Sequence, residues 1–377
     1  MKEDIVIVGA GIGGLTTALA LKQIGKQVIV FESAVAIKPV GAGIVLANNA
    51  MQIFKKLGMH SKIEAAGNKV ASMNITNEKL STLSCMELGK FEQQYGVYNV
   101  AIHRADLQSI LAAEVGLENI QLSKRLSKVE KSDRFSLVFE DNSTFACDVL
   151  IGADGIKSIV RNQYFERSEI RSAAQVCWRG ICEVDLPSQY AHTAIEAWGS
   201  GLRFGFVKVS SSKVYWYAVA DEELVKDEHV DLQELFSSFS ADVLKLIAET
   251  PKAQIVFSNI SDIKPNAAWH RGNACLIGDA AHATTPNLGQ GACQAIEDAY
   301  TIQKLLLAGN SMADAFEKYA ALRVKKVHDI VNTSWAIGKI AHLKNPVAIG
   351  FRNALMRLAP ASLNAGQFNK IFDIGYV

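Results

Sequence analysis

The chain has 377 residues, 49% of them apolar and 20% charged, enough to bury a substantial core in one large or two interlocked domains and too apolar for a disordered chain. Lysine plus arginine (39) nearly cancel aspartate plus glutamate (38), so no net field recruits nucleic acid, and small molecules are the expected partners. The six cysteines (Cys85, Cys147, Cys177, Cys182, Cys275 and Cys293) form no CxxC pair and have no histidine at metal spacing, so they are expected to be small buried residues of a reduced compartment, with no metal site.

The N-terminal apolar run is too short for a signal peptide and follows Glu3 and Asp4, and no run reaches the roughly 18 apolar residues that span a bilayer; a cytoplasmic chain is expected. Residues 5–32, IVIVGAGIGGLTTALALKQIGKQVIVFE, read as a βαβ unit. Ile5–Val8 is apolar throughout, as in a strand covered on both faces, and ends at Gly9. Gly9, Gly11 and Gly14 then have the G-x-G-x-x-G spacing, with Ile12 and Gly13 opening the helix. The first glycine permits the tight turn, the second lets a pyrophosphate approach the backbone, and the third lets the helix pack on the strand. Leu15, Ala18 and Leu19 continue at helical spacing and Gly25 stops the helix. A second strand, 27–31, delivers Glu32 about 20 residues into the unit, where a carboxylate accepts hydrogen bonds from an adenosine ribose and repels a 2′-phosphate. FAD or NAD fits; NADP does not.

Further along, Asn48 and Asn49 are expected to begin a helix that continues to Leu57, and Arg104 to start another. STFACDVLIGADGIKSIVR reads as one strand leaving a turn at Asp141–Asn142–Ser143 and ending in Asp154–Gly155. Between about residues 170 and 267, short alternating strands rich in Trp178, Trp198, Trp216, Tyr215 and Tyr217 predict an antiparallel sheet with a pocket on one face. Within it, residues 202–219 form a hairpin whose loop length sets the register. An odd loop, 210–212, puts Arg203, Gly205, Tyr215 and Tyr217 on one face; an even loop puts the tyrosines with Phe204 and Phe206. NACLIGDAAHA is a third strand, ending in Gly278–Asp279. His282 has no serine or cysteine partner and is expected to pack or to bond the loop backbone. After a bare loop, 292–307 forms a helix with an apolar stripe at Ala295, Ile296, Ala299 and Ile302. Residues 311–343 read as one or two helices with a charged face that includes Glu317, Lys318, Arg323, Lys325 and Lys326, and the apolar C-terminal segment, with two arginines, as a helix packed on the domain in preference to a membrane-surface or partner helix. Three distant strands thus end in glycine-rich acidic turns, which an open parallel sheet brings together at its carboxyl edge around one long cofactor.

Gly9, Gly11 and Gly14 with Glu32, Asp154–Gly155, and Gly278–Asp279 with Pro286 and GQG together resemble the group A flavoprotein aromatic hydroxylases, the p-hydroxybenzoate hydroxylase-like FAD-dependent monooxygenases, with a urate or salicylate hydroxylase-like cast. The resemblance spans nearly the whole chain and implies an α/β fold. Its parts are a Rossmann-like, glutathione-reductase-type FAD-binding domain (1–72, 99–168 and 268–345), an interleaved antiparallel sheet domain for substrate (73–98 and 169–267) and C-terminal helices (346–377). It implies FAD reduced by NAD(P)H, then O2 and a flavin C4a-hydroperoxide that hydroxylates a small aromatic or heteroaromatic ring, in a monomer or homodimer. Epoxidation, double-bond reduction or a redox sensor without turnover are alternatives on the same scaffold.

Residue by residue, the resemblance gives Asp279 the ribityl hydroxyls, Asp154 and Gly155 a place at FAD or pyridine nucleotide, and Arg104 a reach to the cofactor. Gly41 and Gly43 would pass the isoalloxazine, where many relatives carry an arginine and this chain offers Lys38. Pro286 would fix a loop beside the flavin, Gly289 and Gly291 would leave it room, and the helix N-terminus at Gly291–Ala292 would turn N–H donors toward it. Arg203 with Tyr215 is similar to the pair in relatives that hydroxylate planar heterocycles such as urate, which selects the odd hairpin loop. Arg203 would then hold an anionic or carbonyl-bearing ring by bidentate hydrogen bonds.

Overall fold

The computed structural model describes residues 3–37, 42–225, 230–359 and 361–376, so Lys38 and Gly41 lie outside the described residues. At its centre is a six-stranded sheet in the order His270–Arg271, Ala274–Leu276, Val149–Gly152, Ile5–Val8, Val28–Phe31, Ile120–Gln121. All pairs are parallel except the first. Ile5–Val8 is buried throughout, with the Ile12–Gln23 helix packed against it and Phe139 and Phe145 packed on Phe31 of the neighbouring strand, so the strand carries no polar residue. The helix Ile12–Gln23 packs between Gly291–Leu307 and Arg104–Val115.

The three turns meet as expected. Val8 stands opposite both Phe31 and Gly152, and Gly152 opposite Leu276. Beyond the strand ends, Gly9 N donates to Phe31 O (2.7 Å), Ala153 N to Val8 O (2.8 Å) and Ile277 N to Gly152 O (3.0 Å), so one edge of the sheet is laced together at the turns. Gly9 has φ +108° and a Cβ there would strike the Ala153 carbonyl; a Cβ on Gly14 would strike the carbonyl of Gly9. Both glycines are therefore dictated by backbone packing.

The stretch expected as a single strand before Asp154 is two. Thr144–Cys147 pairs antiparallel with Phe135–Phe139 in a separate three-stranded sheet, and Val149–Gly152 enters the central sheet. Asp148 breaks them apart: its N–H and that of Val149 both donate to Asp4 O, while its carboxylate takes Asp4 N and Arg134. The turn before it sits where expected, with Asn142 at φ +62°.

The second large sheet has seven strands in the order Val256–Ile263, Ile170–Glu183, Lys213–Asp221, Leu202–Lys208, Thr193–Trp198, Ser72–Asn77, Thr82–Glu87. It is not wholly antiparallel, because Ser72–Asn77 arrives from the first half of the chain and lies parallel to Thr193–Trp198. In the hairpin, Val207 faces Tyr215, Gly205 faces Tyr217 and Arg203 faces Val219, closed by the odd loop 210–212. Phe204, Phe206 and Trp216 therefore fill the far face with Phe236, and Arg203, Tyr215 and Tyr217 look toward the central sheet.

Residues 312–341 form one continuous helix, and Arg323 is not on its charged face but wholly buried. Helices Pro346–Leu358 and Ala361–Phe372 follow. The first packs on the Thr82–Glu87 strand as expected, with Arg352 buried and Ile349 and Met356 half-buried, but leaves Val347, Phe351, Leu355 and Leu358 exposed. Five cysteines are buried as expected; Cys85 is exposed on a strand at the sheet edge.

Candidate functional site

A cavity of about 1380 Å3 runs from the glycine-rich turns to the inner face of the seven-stranded sheet. It exceeds the roughly 300–1,000 Å3 of an ordinary small-ligand pocket and has room for a dinucleotide and a second molecule. Its lining includes Gly9, Gly11, Ile12, Gly13, Glu32, Gly43, Arg104, Asp154, Gly155, Asp279, Pro286, Gly289, Gly291, Ala292, Arg203 and Tyr215. Gly14 alone of the expected residues is set behind the turn, where its role is packing.

At one end, Glu32 is held by the turn it serves: Oε2 accepts from Ala10 N (2.7 Å) and Oε1 from Ala34 N (2.8 Å). Oε1 also accepts from Ser33 Oγ (3.1 Å), so the lone pair left for a ligand hydroxyl is on Oε2. A Cβ on Gly11 would meet nothing within 4 Å, so the backbone there is open to the cavity. Gly11 ends in an N-cap without a side-chain bond, and the first helical bond is Leu15 N to Gly11 O, leaving the N–H groups of Ile12 to Gly14 unclaimed by the helix. The Gly291–Leu307 helix is also uncapped by a side chain, and its first bond is Gln294 N to Gln290 O. Two helix N-termini thus offer free donors to one cavity, the arrangement that binds a pyrophosphate or another anion.

Asp154 is partly committed. One oxygen accepts from Ile159 N (2.7 Å) and Val160 N (3.2 Å), capping the Ile159–Tyr164 helix, while Oδ1 is buried without a partner. Burial raises its pKa against those N–H bonds. Gly155 follows at φ +79°. Arg161, which sequence reading missed, ties this turn to the next: it is buried and donates to Ala280 O (2.7 Å) and Ile156 O (2.5 Å). Asp279 opens the following short helix and points into the cavity, its Oδ1 3.9 Å from where a Gly291 Cβ would lie. Arg104 starts the Arg104–Val115 helix, is exposed to the cavity, and among the described residues makes no ion pair.

These features fit FAD: a carboxylate for ribose at one end, two unclaimed helix N-termini in the middle, an orphaned carboxylate oxygen, and bare backbone at Gly289, where a Cβ would meet nothing within 4 Å. Gly43 lines the same cavity and has a packing cause besides. A Cβ there would lie 2.5 Å from the Tyr215 Cβ and ring, so Tyr215 requires the glycine. Asn48 and Asn49 do begin the helix, but they do not cap it; Ala47 does, and both side chains are buried, bonding Val97 O and Gln290 Oε1 respectively.

On the opposite wall, Arg203 is buried and does not point to solvent. Its Nε donates to His342 Nε2 (2.7 Å) and Nη1 to Glu196 Oε1 (3.0 Å), while Nη2 has no partner among the described residues. His342 bonds Asp221 through Nδ1 (2.8 Å), and since Nε2 accepts from Arg203, Nδ1 carries the proton. Tyr217 donates to Glu196 Oε2, and Trp198 Nε1 to Oε1 (2.7 Å). Burial, then Glu196, push the Tyr217 phenol well above its ordinary range; burial also raises Tyr215, against Arg179. Neither tyrosine is a phenolate. Glu196, Arg179 and His342 escaped the sequence reading. Each is a lone ionisable residue on the pocket face of a mostly apolar strand or at a helix end, a signal that becomes visible only once the register is known.

His282 does not bond the loop backbone. Its Nε2 pairs with Asp298 (2.6 Å) and its ring packs on Trp269. Asp298 also accepts Gly278 N (3.0 Å) and Arg323 Nε (2.9 Å), and Arg323 reaches Glu297 (2.5 Å), so this cluster buttresses the Gly278–Asp279 turn from behind.

The FAD binding domain family matches residues 2–334. Among curated relatives, the aurachin C monooxygenase/isomerase of Stigmatella aurantiaca is 36% identical over 94% of both chains. The 2-heptyl-3-hydroxy-4(1H)-quinolone synthase of Pseudomonas aeruginosa is 30% identical over 98% of this chain and 97% of its own. Of solved structures, Klebsiella pneumoniae HpxO with FAD and uric acid superposes with a TM-score of 0.90 at 27% identity, covering 99% of this chain and 97% of that one. The chain therefore belongs to the FAD binding domain family, as an FAD-dependent monooxygenase of the group A aromatic hydroxylase type.

Proposed function

We propose that the protein hydroxylates a planar heteroaromatic ring bearing a carbonyl or anionic oxygen and an apolar limb, of the 2-alkyl-4-quinolone kind, using NAD(P)H and O2. The observation that carries the reading is the unpartnered Arg203 Nη2, buried in the cavity wall on the same face as Tyr215 and Tyr217. A guanidinium with two of its nitrogens already fixed by His342 and Glu196 is pre-organised, and a ring oxygen would satisfy the third. Beyond Arg203 the cavity is lined by Ile337, Ile340, Met356 and Phe368, which give an alkyl limb an apolar bed.

Bound FAD supplies the redox chemistry, taking electrons from a reduced nicotinamide and activating oxygen. The chain's own residues do the rest. Glu32 and Asp279 accept hydroxyl protons, the N-termini at Ile12 and Gly291 face negative charge, and Arg104 adds a cation beside Tyr215. Arg203 orients the ring, with Tyr215 and Tyr217 as neutral walls, and Glu196 fixes Arg203, Tyr217 and Trp198 together. On this reading 1–72, 99–168 and 268–345 hold the cofactor, while 73–98 and 169–267 hold the substrate.

The test is NADH and NADPH oxidation by the FAD-loaded protein with 2-heptyl-4(1H)-quinolone, urate and salicylate, with products checked for one added oxygen. Stimulated oxidation with an oxygenated quinolone supports the reading. Turnover of urate or salicylate with an inert quinolone would sink the apolar-limb assignment, and no stimulated oxidation at all would sink the substrate class.

A further inference from the structure

The helix Pro346–Leu358 carries most of its large apolar side chains on the side away from the protein. Val347, Phe351, Leu355 and Leu358 are 81%, 67%, 52% and 79% exposed, and their spacing places them on a single stripe. Its inward face sets the half-buried Ile349 and Met356 beside one charge. Arg352 is buried, stacks on the Trp198 ring at 5.2 Å and donates to the carbonyls of Ile340 and Ala341. The larger part of the helix's apolar surface thus lies on the face that does not pack on the protein.

Charge identifies what covers the stripe. From residue 330 to 372 the sequence contains Lys339, Lys344, Arg352, Arg357 and Lys370 and no aspartate or glutamate, in a chain whose net charge is only +1. Arg352 is buried and Lys344 pairs with Asp221 and Glu223, while Lys339, Arg357 and Lys370 have no ion pair among the described residues. A second copy meeting this face by two-fold symmetry would oppose basic groups to basic groups. Anionic headgroups would neutralise them, and a stripe of Phe, Leu and Val on a helix that also carries the exposed Arg357 is the make-up of a helix that lies in the membrane interface.

We propose that Pro346–Leu358 is an anchor to an anionic lipid surface. About 20 Å of helix lies along the headgroup boundary with its stripe immersed. Met356, on the inner side of the same helix, lines the substrate cavity together with Ile340 of the preceding helix. Docking therefore brings the cavity's apolar end to the lipid boundary, where a substrate with an apolar limb is concentrated. That last step rests on the substrate reading above; the anchoring does not.

Flotation of the full-length, FAD-loaded protein with vesicles tests it. At low salt at least tenfold more protein is expected on phosphatidylcholine vesicles containing phosphatidylglycerol than on phosphatidylcholine alone, falling as salt is raised. Phe351→Ser with Leu355→Ser is expected to lose at least tenfold in vesicle binding, and Arg357→Glu with Lys370→Glu severalfold, both with FAD content unchanged. Absence of wild-type flotation on anionic vesicles at low salt overturns the anchor. So does sedimentation as a dimer that the Phe351/Leu355 variant dissociates, without vesicle binding. Binding to vesicles by a protein that ignores quinolones supports the anchor and overturns only the substrate reading.

Discussion

Arg203 shows how one side chain acquires a direction. Its Nε and Nη1 are held by His342 and Glu196, so the free Nη2 has a fixed place before any ligand arrives. Arg203→Lys keeps the charge but cannot reproduce this fork. Loss of one charge-assisted bond, about 1.5–3 kcal/mol, should lower kcat/KM roughly 10- to 100-fold with FAD content unchanged, as read by steady-state kinetics and flavin absorbance. The same geometry makes His342 sensitive to acid. Burial lowers its pKa, with Arg203 acting the same way and Asp221 opposing; Glu196 and Lys344 complete the charges around it. Its folded pKa lies below the ordinary value near about 6.5, so the neutral ring's contribution is full above that pH and is lost as pH falls through the lowered value. Protonation would set an Nε2–H against the Arg203 Nε–H. We expect an acid limb in kcat/KM, lying below the ordinary histidine range, that is absent in His342→Gln, whose amide oxygen can accept from Arg203 and whose NH2 can donate to Asp221. An identical limb in both proteins would count against it.

At the scale of elements, the glycines divide by what they face. Gly9 and Gly14 are required by neighbouring backbone, Gly43 by the Tyr215 ring and Gly289 by its own left-handed backbone, while no protein atom lies within 4 Å of a Cβ placed on Gly11 or Gly289. These two line the cavity and leave space there for a ligand. Gly289 also has φ +62°, so Gly289→Val combines backbone strain of about 1–3 kcal/mol with a side chain in the cavity. The expected result is a folded protein that loses FAD on gel filtration; retained FAD and unchanged turnover would refute the assignment of this loop. The βαβ unit and the three acidic turns were legible in sequence because each is a local pattern. Gly43 and the break at Asp148 were not, since their causes, Tyr215 and Asp4, are distant in the chain and adjacent only after folding. The hairpin register stands between these cases: alternation restricted it to two answers, and one turn's length decided it.

Across the whole molecule, the Met312–Ala341 helix is joined to the cofactor edge of the sheet by charge. Arg323 pairs with Glu297 and Asp298, with Tyr376 from the C-terminal turn beside it, and Asp298 in turn holds His282 and Gly278 N. A surface reading of Arg323 was natural from its charged neighbours, because helical spacing does not say that two carboxylates on another helix wait opposite. Burial alone would raise the Asp298 carboxyl, but His282 and Arg323 hold it down at about 2. The unfolded value is near about 3.9, so this carboxylate's contribution is present above that pH and disappears as pH falls toward the folded value. Removing the cation is more severe: Arg323→Met leaves buried Glu297 with only Lys326 as a cationic partner and buried Asp298 with only His282, and should cost about 3–5 kcal/mol in urea unfolding at neutral pH. If the cost is the stranded charge and not lost packing, adding Glu297→Gln and Asp298→Asn to Arg323→Met should restore much of the stability. A triple variant no more stable than the single one would show instead that the guanidinium's hydrogen bonds to Gln294 and Tyr376 are what the long helix depends on.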